Sequence, residues 1–345
     1  KVGIDIGSTT IKTVVTDKNS NILYKDYMRH KSDITTSLVE LLNGLKEVFS
    51  NEVMFFNFTG SAAMLLAEHI KMQFTQEVIS ATKALNYYAD DFDCAIELGG
   101  EDAKIIFFDG INIEQRMNGT CAGGTGAFID QMATLLNTDS ANLNEIAKGY
   151  DKLYPIASRC GVFAKSDIQP LLNQGASHKD VAASIYQAIV NQTIAGLSQG
   201  RKIKGKVAFL GGPLTFASEL RKRFIETLDL KNVFIPENGE VFVAFGASLN
   251  AEETKSTIDE ITTLIKGYDA SNKHKNKKTL GALFNNKQEY TDFLERHNRT
   301  SINEIDIKTY NGNAYLGIDA GSTTTKLVLI SETNEILYYF YSHNK

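Results

Sequence analysis

The 345-residue sequence predicts an α/β protein. Segments with the alternating pattern of strands are followed by segments whose apolar residues recur at helical spacing. This alternation of strands and helices along the chain is typical of the α/β class. A near repeat adds to the prediction. Residues 3–15 read GIDIGSTTIKTVV and residues 317–329 read GIDAGSTTTKLVL, with nine of thirteen positions identical. The chain therefore contains one whole module and the opening of a second.

Strands are predicted where short apolar or alternating runs end at turn residues. The first two strands flank the Gly-Ser-Thr-Thr turn, and a third begins after the turn Asn19-Ser20-Asn21. Two later runs end at glycine, one before Gly60 and one before Gly211. In chain order the predicted strands are residues 1–17 (two strands), 22–28, 53–59, 94–98, 103–109, 207–210 and 233–235.

Helices are predicted where apolar residues recur every three or four positions. Leu38, Leu41, Leu42 and Leu45 show this spacing in the first helix. In chain order the predicted helices are residues 37–49, 62–70, 78–89, 126–136, 168–173, 181–199, 219–228, 241–250 and 287–297.

The pattern divides the chain into three parts. Residues 1–251 form one module of two lobes, which we expect to divide near residue 90. Residues 252–314 have a different character, with a solvated basic run at 273–278, and we interpret them as a connector with some helix. Residues 315–345 begin the second, truncated copy. A lone hairpin is marginal in water, so we expect this tail to dock on the module or on a neighbouring molecule.

Composition and net charge limit the classes of partner and the location that can be expected for the protein. The net charge of −5 and the pI near 5.8 argue against a nucleic-acid partner, which usually requires a basic face. The apolar runs are too short for a membrane span. We expect no signal peptide, because residue 1 already begins a strand. Three cysteines do not make a disulfide framework in a chain of this length, so a reducing cytoplasm is the expected location.

The first Gly-rich turn has the composition of a phosphate site. A glycine lets backbone approach a ligand closely, and turn amides and hydroxyls donate to phosphate oxygens. A carboxylate suits hydrated Mg²⁺, and a lysine supplies positive charge. The candidate residues of this turn are Asp5, Gly7, Ser8, Thr9, Thr10 and Lys12.

Three further Gly-rich elements follow in order. The second is another strand, acidic Gly-rich turn and strand. The third follows a buried strand and suits close approach of a base and sugar, and the fourth is a small-residue point on a helix. Each alone is more simply a plain turn, but together and in this order they indicate a nucleotide site. The sequence contains neither GxxxxGK[ST] nor GxGxxG after a strand, which argues against a P-loop or Rossmann site. The candidate residues are Glu97, Gly99, Gly100, Glu101, Asp102 and Lys104 in the second element, Gly211, Gly212 and Pro213 in the third, and Gly246 in the fourth.

Two cysteines precede predicted helices. Cys121 lies in NGTCAGGTGAF and Cys160 in SRCGVFAKSD. A helix N-terminus lowers a thiol's pKa, which suits a thiolate-ligated cluster. A [4Fe–4S] cluster needs four thiolates, so two from each chain indicate a symmetric dimer. The alternative is that both are small core residues, as we expect for Cys94 within its strand.

The order of these motifs resembles the actin and sugar-kinase ATPase superfamily over residues 1 to about 250. That resemblance implies two ribonuclease-H-like lobes that close over ATP. It assigns the two acidic turns to the phosphates and Mg²⁺, and Gly211, Gly212 and Pro213 to the adenosine. Among the turn residues, Asp5, Glu97 and Asp102 are the catalytic candidates, with Asp102 or Glu97 orienting the attacking water.

The cysteine segments are similar to those of the activator ATPases of 2-hydroxyacyl-CoA dehydratases, the BadF/BadG/BcrA/BcrD group. This resemblance implies a homodimer holding one [4Fe–4S] cluster through Cys121 and Cys160, with Gly124, Thr125 and Gly126 added to the cofactor-binding set. It also implies ATP-driven transfer of a low-potential electron in anaerobic metabolism. The donor would be reduced ferredoxin or flavodoxin, and the acceptor a dehydratase or reductase component. The second copy, starting at Tyr315, resembles the large duplicated members, so the chain looks like their N-terminal piece.

Two positions depart from that group. Glu97 and Glu101 stand where smaller relatives tend to carry Asp and Gln, and Pro213 removes one backbone donor from the adenosine turn. Two other functions share the ATP site: a sugar or acetate kinase, and a nucleotide-dependent switch without a cluster. A zinc site is less favoured, because no second CxxC or His cluster accompanies either cysteine.

Overall fold

The structure is a computed structural model, and it describes residues 1–110, 112–118, 123–158, 160–273, 281–299, 302–321 and 323–344. The chain divides into two compact units, Lys1–Lys275 and Asn276–Lys345. Among the described residues, no helix is long and apolar enough to cross a membrane.

The first lobe of the larger unit is built on a six-stranded sheet. Its order is β11-β4-β1-β2-β3, with β5 paired to β4. The hairpin β1–β2 is antiparallel, and β4 runs parallel to β1. The strands are β1 (Val2–Ile6), β2 (Thr10–Thr16), β3 (Ile22–Arg29), β4 (Met54–Thr59), β5 (Gln73–Phe74) and β11 (Lys255–Ser256).

The second lobe repeats this plan with five strands. Its order is β10-β9-β6-β7-β8, again with an antiparallel hairpin, β6–β7, beside a parallel strand, β9. Both lobes thus place a Gly-rich hairpin turn at the same end of a central strand. The strands are β6 (Cys94–Leu98), β7 (Ala103–Asp109), β8 (Asn112–Met117), β9 (Lys206–Leu210) and β10 (Asn232–Phe234).

Helices cover both sheets. The last turn of α7 continues as a π-helix at Ile194–Ser198. The helices of the larger unit are α1 (Ile34–Phe49), α2 (Met64–His69), α3 (Glu77–Tyr88), α4 (Gly126–Leu135), α5 (Ser140–Ile146), α6 (Gly161–Asn173), α7 (His178–Thr193), α8 (Gly212–Phe216), α9 (Ser218–Leu228), α10 (Phe242–Leu249) and α11 (Ile258–Lys273).

Three apolar cores hold the larger unit together. One lies in each lobe, between its sheet and its helices. The third joins the lobes, because α3 and α10 pack there against residues of both sheets, including Val14 of β2 and Ile106 of β7. Contact at this third core is close. A Cβ on Gly3 would lie 2.0 Å from Ala244 O, and one on Gly246 would lie 1.8 Å from Ser80 O. Backbone therefore meets backbone on two sides of α10.

The start of the segment predicted as a connector packs on the first lobe. β11 pairs antiparallel with β4. Ile258, Ile261 and Ile265 of α11 are buried in the core of that lobe. On the surface, Lys46 Nζ lies 2.6 Å from Asp259 Oδ1. Residues 255–265 therefore contribute to the stability of the first lobe.

The smaller unit contains one helix and one sheet. Helix α12 (Lys287–Asn298) begins after Asn286, whose side chain accepts a hydrogen bond from Glu289 N. Strands β12 (Ala314–Ala320), β13 (Thr324–Ser331) and β14 (Ile336–His343) form an antiparallel sheet in that order. This sheet reproduces the β1–β2–β3 arrangement predicted from the repeat.

Several elements differ from the sequence prediction. α6 begins at Gly161 rather than at residue 168, and the elements that were missed are β5, β8, β11, α5, α8 and α11. Most of β8 is exposed, so its sequence does not alternate. Val162 and Phe163, at the start of α6, are also exposed, and so the apolar spacing of a packed helix begins later.

Candidate functional site

The first phosphate turn joins β1 to β2. Asp5 and Lys12 are cross-strand partners, and Lys12 Nζ lies 2.9 Å from Asp5 Oδ2. The turn closes when Gly7 N donates to Thr10 O at 2.9 Å. The pair is largely buried, and Asp5 is 5% exposed. Burial alone would lower the pKa of Lys12, but the charge and hydrogen bond of Asp5 outweigh it, so the pKa is raised and the ammonium is kept.

The second turn, between β6 and β7, has the same construction. Glu97 and Lys104 are cross-strand partners, and Gly99 N donates to Asp102 O at 2.8 Å. The shared spacing of acid, glycine and lysine thus produces the same geometry in both lobes.

Lys104 lies among three carboxylates. Its Nζ is 2.8 Å from Asp102 Oδ2 and 3.8 Å from Glu97 Oε1, and it also pairs with Glu77 at the start of α3. Burial opposes the charge on Lys104, but the three carboxylates together raise its pKa. Sequence reasoning missed Glu77, because α3 reaches this site only through the packing of the lobes.

Glu97 is a buried carboxyl with a raised pKa. It is 8% exposed and lies farther from the ammonium than Asp102 does. Burial, with repulsion from Glu77, Asp102 and Asp5, outweighs the attraction of Lys104 and raises its pKa from 4.5 to about 7. A carboxyl with such a pKa exchanges protons near neutrality, as a general acid or base requires.

The two phosphate turns face each other across a cleft. A Cβ on Gly100 would lie 2.0 Å from Thr9 Oγ1, so the glycine lets the hairpins approach. The second turn is also bonded to helix α4: Gly126 N donates to Gly99 O at 2.9 Å and Ala127 N to Gly100 O at 2.8 Å. The helix that follows the Cys121 segment is therefore attached directly to a phosphate turn.

The third Gly-rich element also lines the cleft. Gly211 has φ +88°, and a Cβ there would lie 2.1 Å from Leu98 O, so only glycine fits. Gly212 and Pro213 begin α8. The ring centroid of Phe216, on the same helix, lies 6.2 Å from that of Tyr27 of β3. Together with Tyr27 and Phe216, these residues line the cleft.

The cleft has a volume of about 700 Å³, within the usual range for small-molecule sites. Among the described residues, eleven of the predicted site residues line it. Gly7, Ser8, Glu101, Asp102, Lys104, Gly124 and Thr125 belong to the same turns, or to the segment before α4, without lining it. The predicted residues that line the cleft are Asp5, Thr9, Thr10, Lys12, Glu97, Gly99, Gly100, Gly126, Gly211, Gly212 and Pro213.

Gly246 is not brought to the cleft. It lies in α10, where its missing side chain allows α3 to approach. Its neighbour in the helix, Val243, does line the cleft. The fourth motif therefore joins the lobes behind the site.

Strand β3 supplies contacts between the lobes that the sequence did not indicate. Lys25, Tyr27 and Arg29 alternate along one face of the strand. Lys25 Nζ lies 2.9 Å from Glu240 Oε1, and Arg29 Nη1 lies 3.0 Å from Asp130 Oδ2 of α4. The two ion pairs connect the first lobe to the second beside the cleft.

Of the cysteines, Cys160 and Cys94 are described, and Cys121 lies outside the described residues. Cys160 immediately precedes α6, where hydrogen bonds from the backbone N–H groups of Phe163 and Val162 lower its pKa. Cys94 is buried in β6, and burial raises its pKa to about 12. Across the described ranges, no group of three or more metal-ligating side chains occurs.

Comparison with known proteins shows which of them have a similar sequence and fold. A relative, the 2-hydroxyisocaproyl-CoA dehydratase activator of Clostridioides difficile, is 26% identical over 270 residues, covering 76% of this chain and 99% of its own. The crystal structure of component A of Acidaminococcus fermentans (R)-2-hydroxyglutaryl-CoA dehydratase has a TM-score of 0.64 at 26% identity, covering 73% of this chain and 96% of its own.

A second solved structure shows the same fold. The Clostridium difficile activator with bound ADPNP has a TM-score of 0.65 at 23% identity, covering 81% of this chain and 99% of its own. The predicted two-lobed, actin-like α/β fold is confirmed. A family profile, that of the BadF/BadG/BcrA/BcrD ATPase family, matches residues 2–251. This match covers well over half of the 345 residues, so the chain belongs to the BadF/BadG/BcrA/BcrD ATPase family.

Proposed function

We propose that this protein is an ATP-dependent activator. It would couple ATP hydrolysis to the transfer of a low-potential electron from a [4Fe–4S] cluster, held between two copies of the chain, to a CoA-substrate dehydratase or a related reductase. Family membership supports the ATPase activity, and the names of the relatives support a dehydratase as the partner. Reduced ferredoxin or flavodoxin is the proposed donor, and the cytoplasm the proposed location.

The cleft suits a magnesium nucleotide. Its two facing turns carry the amides and hydroxyls that bind phosphate, with Lys12 beside the first turn and Lys104 beside the second. Asp5 is the proposed partner of hydrated Mg²⁺, which prefers one or two carboxylates with water. Gly211, Gly212 and Pro213 would bind the adenosine.

Hydrolysis would depend on positioning and charge, as in other phosphoryl transfers. Glu97 or Asp102 would orient the attacking water. Glu97 is the better candidate for accepting its proton, because its pKa of about 7 leaves both protonation states available. Lys104 would hold Asp102 and Glu77 in place during the reaction.

One observation carries the coupling: the amides of Gly126 and Ala127 bond to the carbonyls of the second phosphate turn. Any shift of that turn must move the start of α4, and with it the segment that holds Cys121. The start of α6 lies against α4, since a Cβ on Gly161 would be 2.5 Å from Gln131 Oε1. Cys160, which precedes Gly161, would move with the same contact.

The chemistry of the two cysteines suits a [4Fe–4S] cluster that is shared between two copies of the chain. Cys121 and Cys160 of each copy would supply the four thiolates, and the lowered pKa of Cys160 favours the required thiolate. When bound, such a cluster supplies one electron at low potential. The chain's own part would be to hold the thiolates in the segments that precede α4 and α6, where nucleotide-dependent movement would change their surroundings.

Anaerobic purification of the full chain tests this proposal. We expect about four iron and four sulfide per two chains, a brown colour, and a spectrum that changes with ATP. Cys160→Ala should lose the cluster while retaining ATPase activity, and Cys94→Ala, the matched control, should keep both.

A full cluster in Cys160→Ala would refute the ligand assignment. Colourless wild-type protein that hydrolyses ATP would instead favour a nucleotide-dependent switch, and phosphorylation of a small-molecule acceptor would favour a kinase.

A further inference from the structure

His30 contacts the first phosphate turn and has no role in the function proposed so far. It lies directly after β3 and is 3% exposed. Its backbone N–H donates to Thr9 O at 3.2 Å, and its ring Nε2 lies 3.1 Å from Gly7 O. Both carbonyls belong to the turn that faces the cleft.

The other ring nitrogen identifies the donor. Ser32 N lies 3.1 Å from His30 Nδ1, and a backbone N–H can only donate, so Nδ1 accepts and Nε2 carries the hydrogen. Nε2–H therefore donates to the carbonyl of Gly7. Lys31 and Ser32 have φ of 47° and 66°, values that residues with side chains rarely adopt. Such backbone conformations persist where the surrounding structure imposes them. Here the conformation brings Ser32 N back to the ring of His30.

The second copy repeats this contact with a different residue. Asn344 follows β14 as His30 follows β3, because Thr324 pairs with His343 as Thr10 pairs with Arg29. Asn344 N donates to Thr323 O at 2.9 Å, and Asn344 Nδ2 donates to Gly321 O, also at 2.9 Å.

The orientation of that amide is fixed by a further bond. Thr325 Oγ1 donates to Asn344 Oδ1 at 2.7 Å, which leaves the nitrogen facing the glycine carbonyl. Imidazole and carboxamide share little except a side-chain N–H. Its recurrence at the same carbonyl of the same turn indicates that the donor itself is required.

The bond determines where the turn's amides point. In a trans peptide the carbonyl and the next N–H point to opposite sides. With the Gly7 carbonyl held by the ring, the Ser8 N–H is directed away from it, and Ser8 is exposed. Glycine tolerates both signs of φ, so the Gly7–Ser8 peptide could otherwise reverse and direct an oxygen toward the ligand.

We propose that His30 is a positioning residue for the phosphate groups of the nucleotide, an inference that rests on the proposed ATP-dependent function. It holds the Gly7 carbonyl so that the Ser8 N–H remains available to a phosphate oxygen. Asn344 holds the carbonyl of Gly321 in the same way.

The test compares two substitutions of similar size in the full chain. His30→Leu removes the donor, and His30→Asn keeps an N–H as the second copy does. Binding of Mg²⁺–ADPNP and of adenosine is measured by calorimetry. We expect His30→Leu to weaken ADPNP binding about tenfold, the effect of losing one good hydrogen bond, with adenosine binding unchanged. His30→Asn should stay within about threefold of wild type.

A merely structural role for His30 would weaken both ligands together, which would overturn the inference, as would unchanged ADPNP binding in His30→Leu. If His30→Leu does not fold, His30→Asn still decides, because a tenfold loss there contradicts the inference. Failure of the proposed function looks different, since wild-type protein would then not bind ADPNP at all.

Discussion

Charge at the second phosphate turn is arranged so that one ammonium serves three carboxylates. Lys104 Nζ is closest to Glu77 and Asp102, and Glu97 lies 3.8 Å away. For Glu97, burial and the repulsion of the neighbouring carboxylates outweigh the attraction of Lys104. This explains why a carboxyl in an ion-paired cluster has a pKa of about 7. In the first turn, by contrast, one carboxylate, that of Asp5, is paired with one ammonium, that of Lys12.

Glu97→Gln should reveal this pKa in the pH dependence of stability. The folded-state pKa of about 7 exceeds the ordinary 4.5, so protonation favours the folded state. That contribution is complete below 4.5 and is lost as pH rises through 7. Relative to Glu97→Gln, the wild type should lose about 3 kcal/mol of unfolding free energy as the pH rises through that range.

Urea unfolding of both proteins at a series of pH values measures the difference, and other titrating groups cancel in it. A difference that does not change with pH would contradict the assignment of the raised pKa to Glu97.

At the scale of elements, α10 is the component that fixes the two sheets relative to each other. It follows the second lobe in the sequence, yet it packs on β1 and α3. Ser80 O leaves no room for a side chain at Gly246. The glycine that the sequence assigned to the nucleotide thus has a packing role in the structure.

Gly246→Ala should therefore destabilise the protein. The added Cβ would lie 1.8 Å from Ser80 O, so the helices must separate. We expect a loss of about 1 to 3 kcal/mol or more. Gly267→Ala in α11 is the matched control: a Cβ there meets nothing within 4 Å, and removing a helical glycine should be neutral or stabilising by up to about 1 kcal/mol.

Thermal and urea unfolding of the two variants provide the comparison. Equal stability of Gly246→Ala and wild type would mean that α10 and α3 are not in close contact in solution.

Features that depend on residues close together in the sequence could be predicted. The spacing of acid, glycine and lysine defined both phosphate turns, because a two-strand hairpin fixes those residues by register alone. Glu77, His30 and Arg29 could not be found in this way, since each reaches the site through contacts between distant segments. The exposed β8 was missed for a related reason: without a buried face, its residues carry no pattern.

At the scale of the whole molecule, the two lobes of the larger unit meet beside the cleft through paired charges on β3. Lys25 pairs with Glu240 and Arg29 with Asp130. Both pairs are partly solvated, so each contributes little to stability. We expect their effect to be on the balance between an open and a closed cleft, to which the proposed nucleotide binding would respond.

Reversing the two cations tests this balance. In the variant Lys25→Glu, Arg29→Glu, like charges would face each other, and ATP affinity should fall about tenfold, since each reversed pair changes the interaction by up to about 1 kcal/mol. Adding Asp130→Lys and Glu240→Lys should restore most of the affinity. Equilibrium dialysis with labelled ATP measures both variants. If the fourfold variant binds no better than the double one, the ion pairs do not control closure.

The backbone contacts of α10 also determine what kind of motion the lobes can make. Sliding is blocked there, because neither Gly3 nor Gly246 has a side chain that could change rotamer to make room. We therefore expect any relative movement of the lobes to be a pivot about this seam. In a pivot, displacement grows with distance from the axis. A small rotation at α10 would therefore produce its largest displacement at the edge of the cleft, where Arg29 pairs with Asp130. Small events at the phosphates can in this way reach the far ends of both lobes.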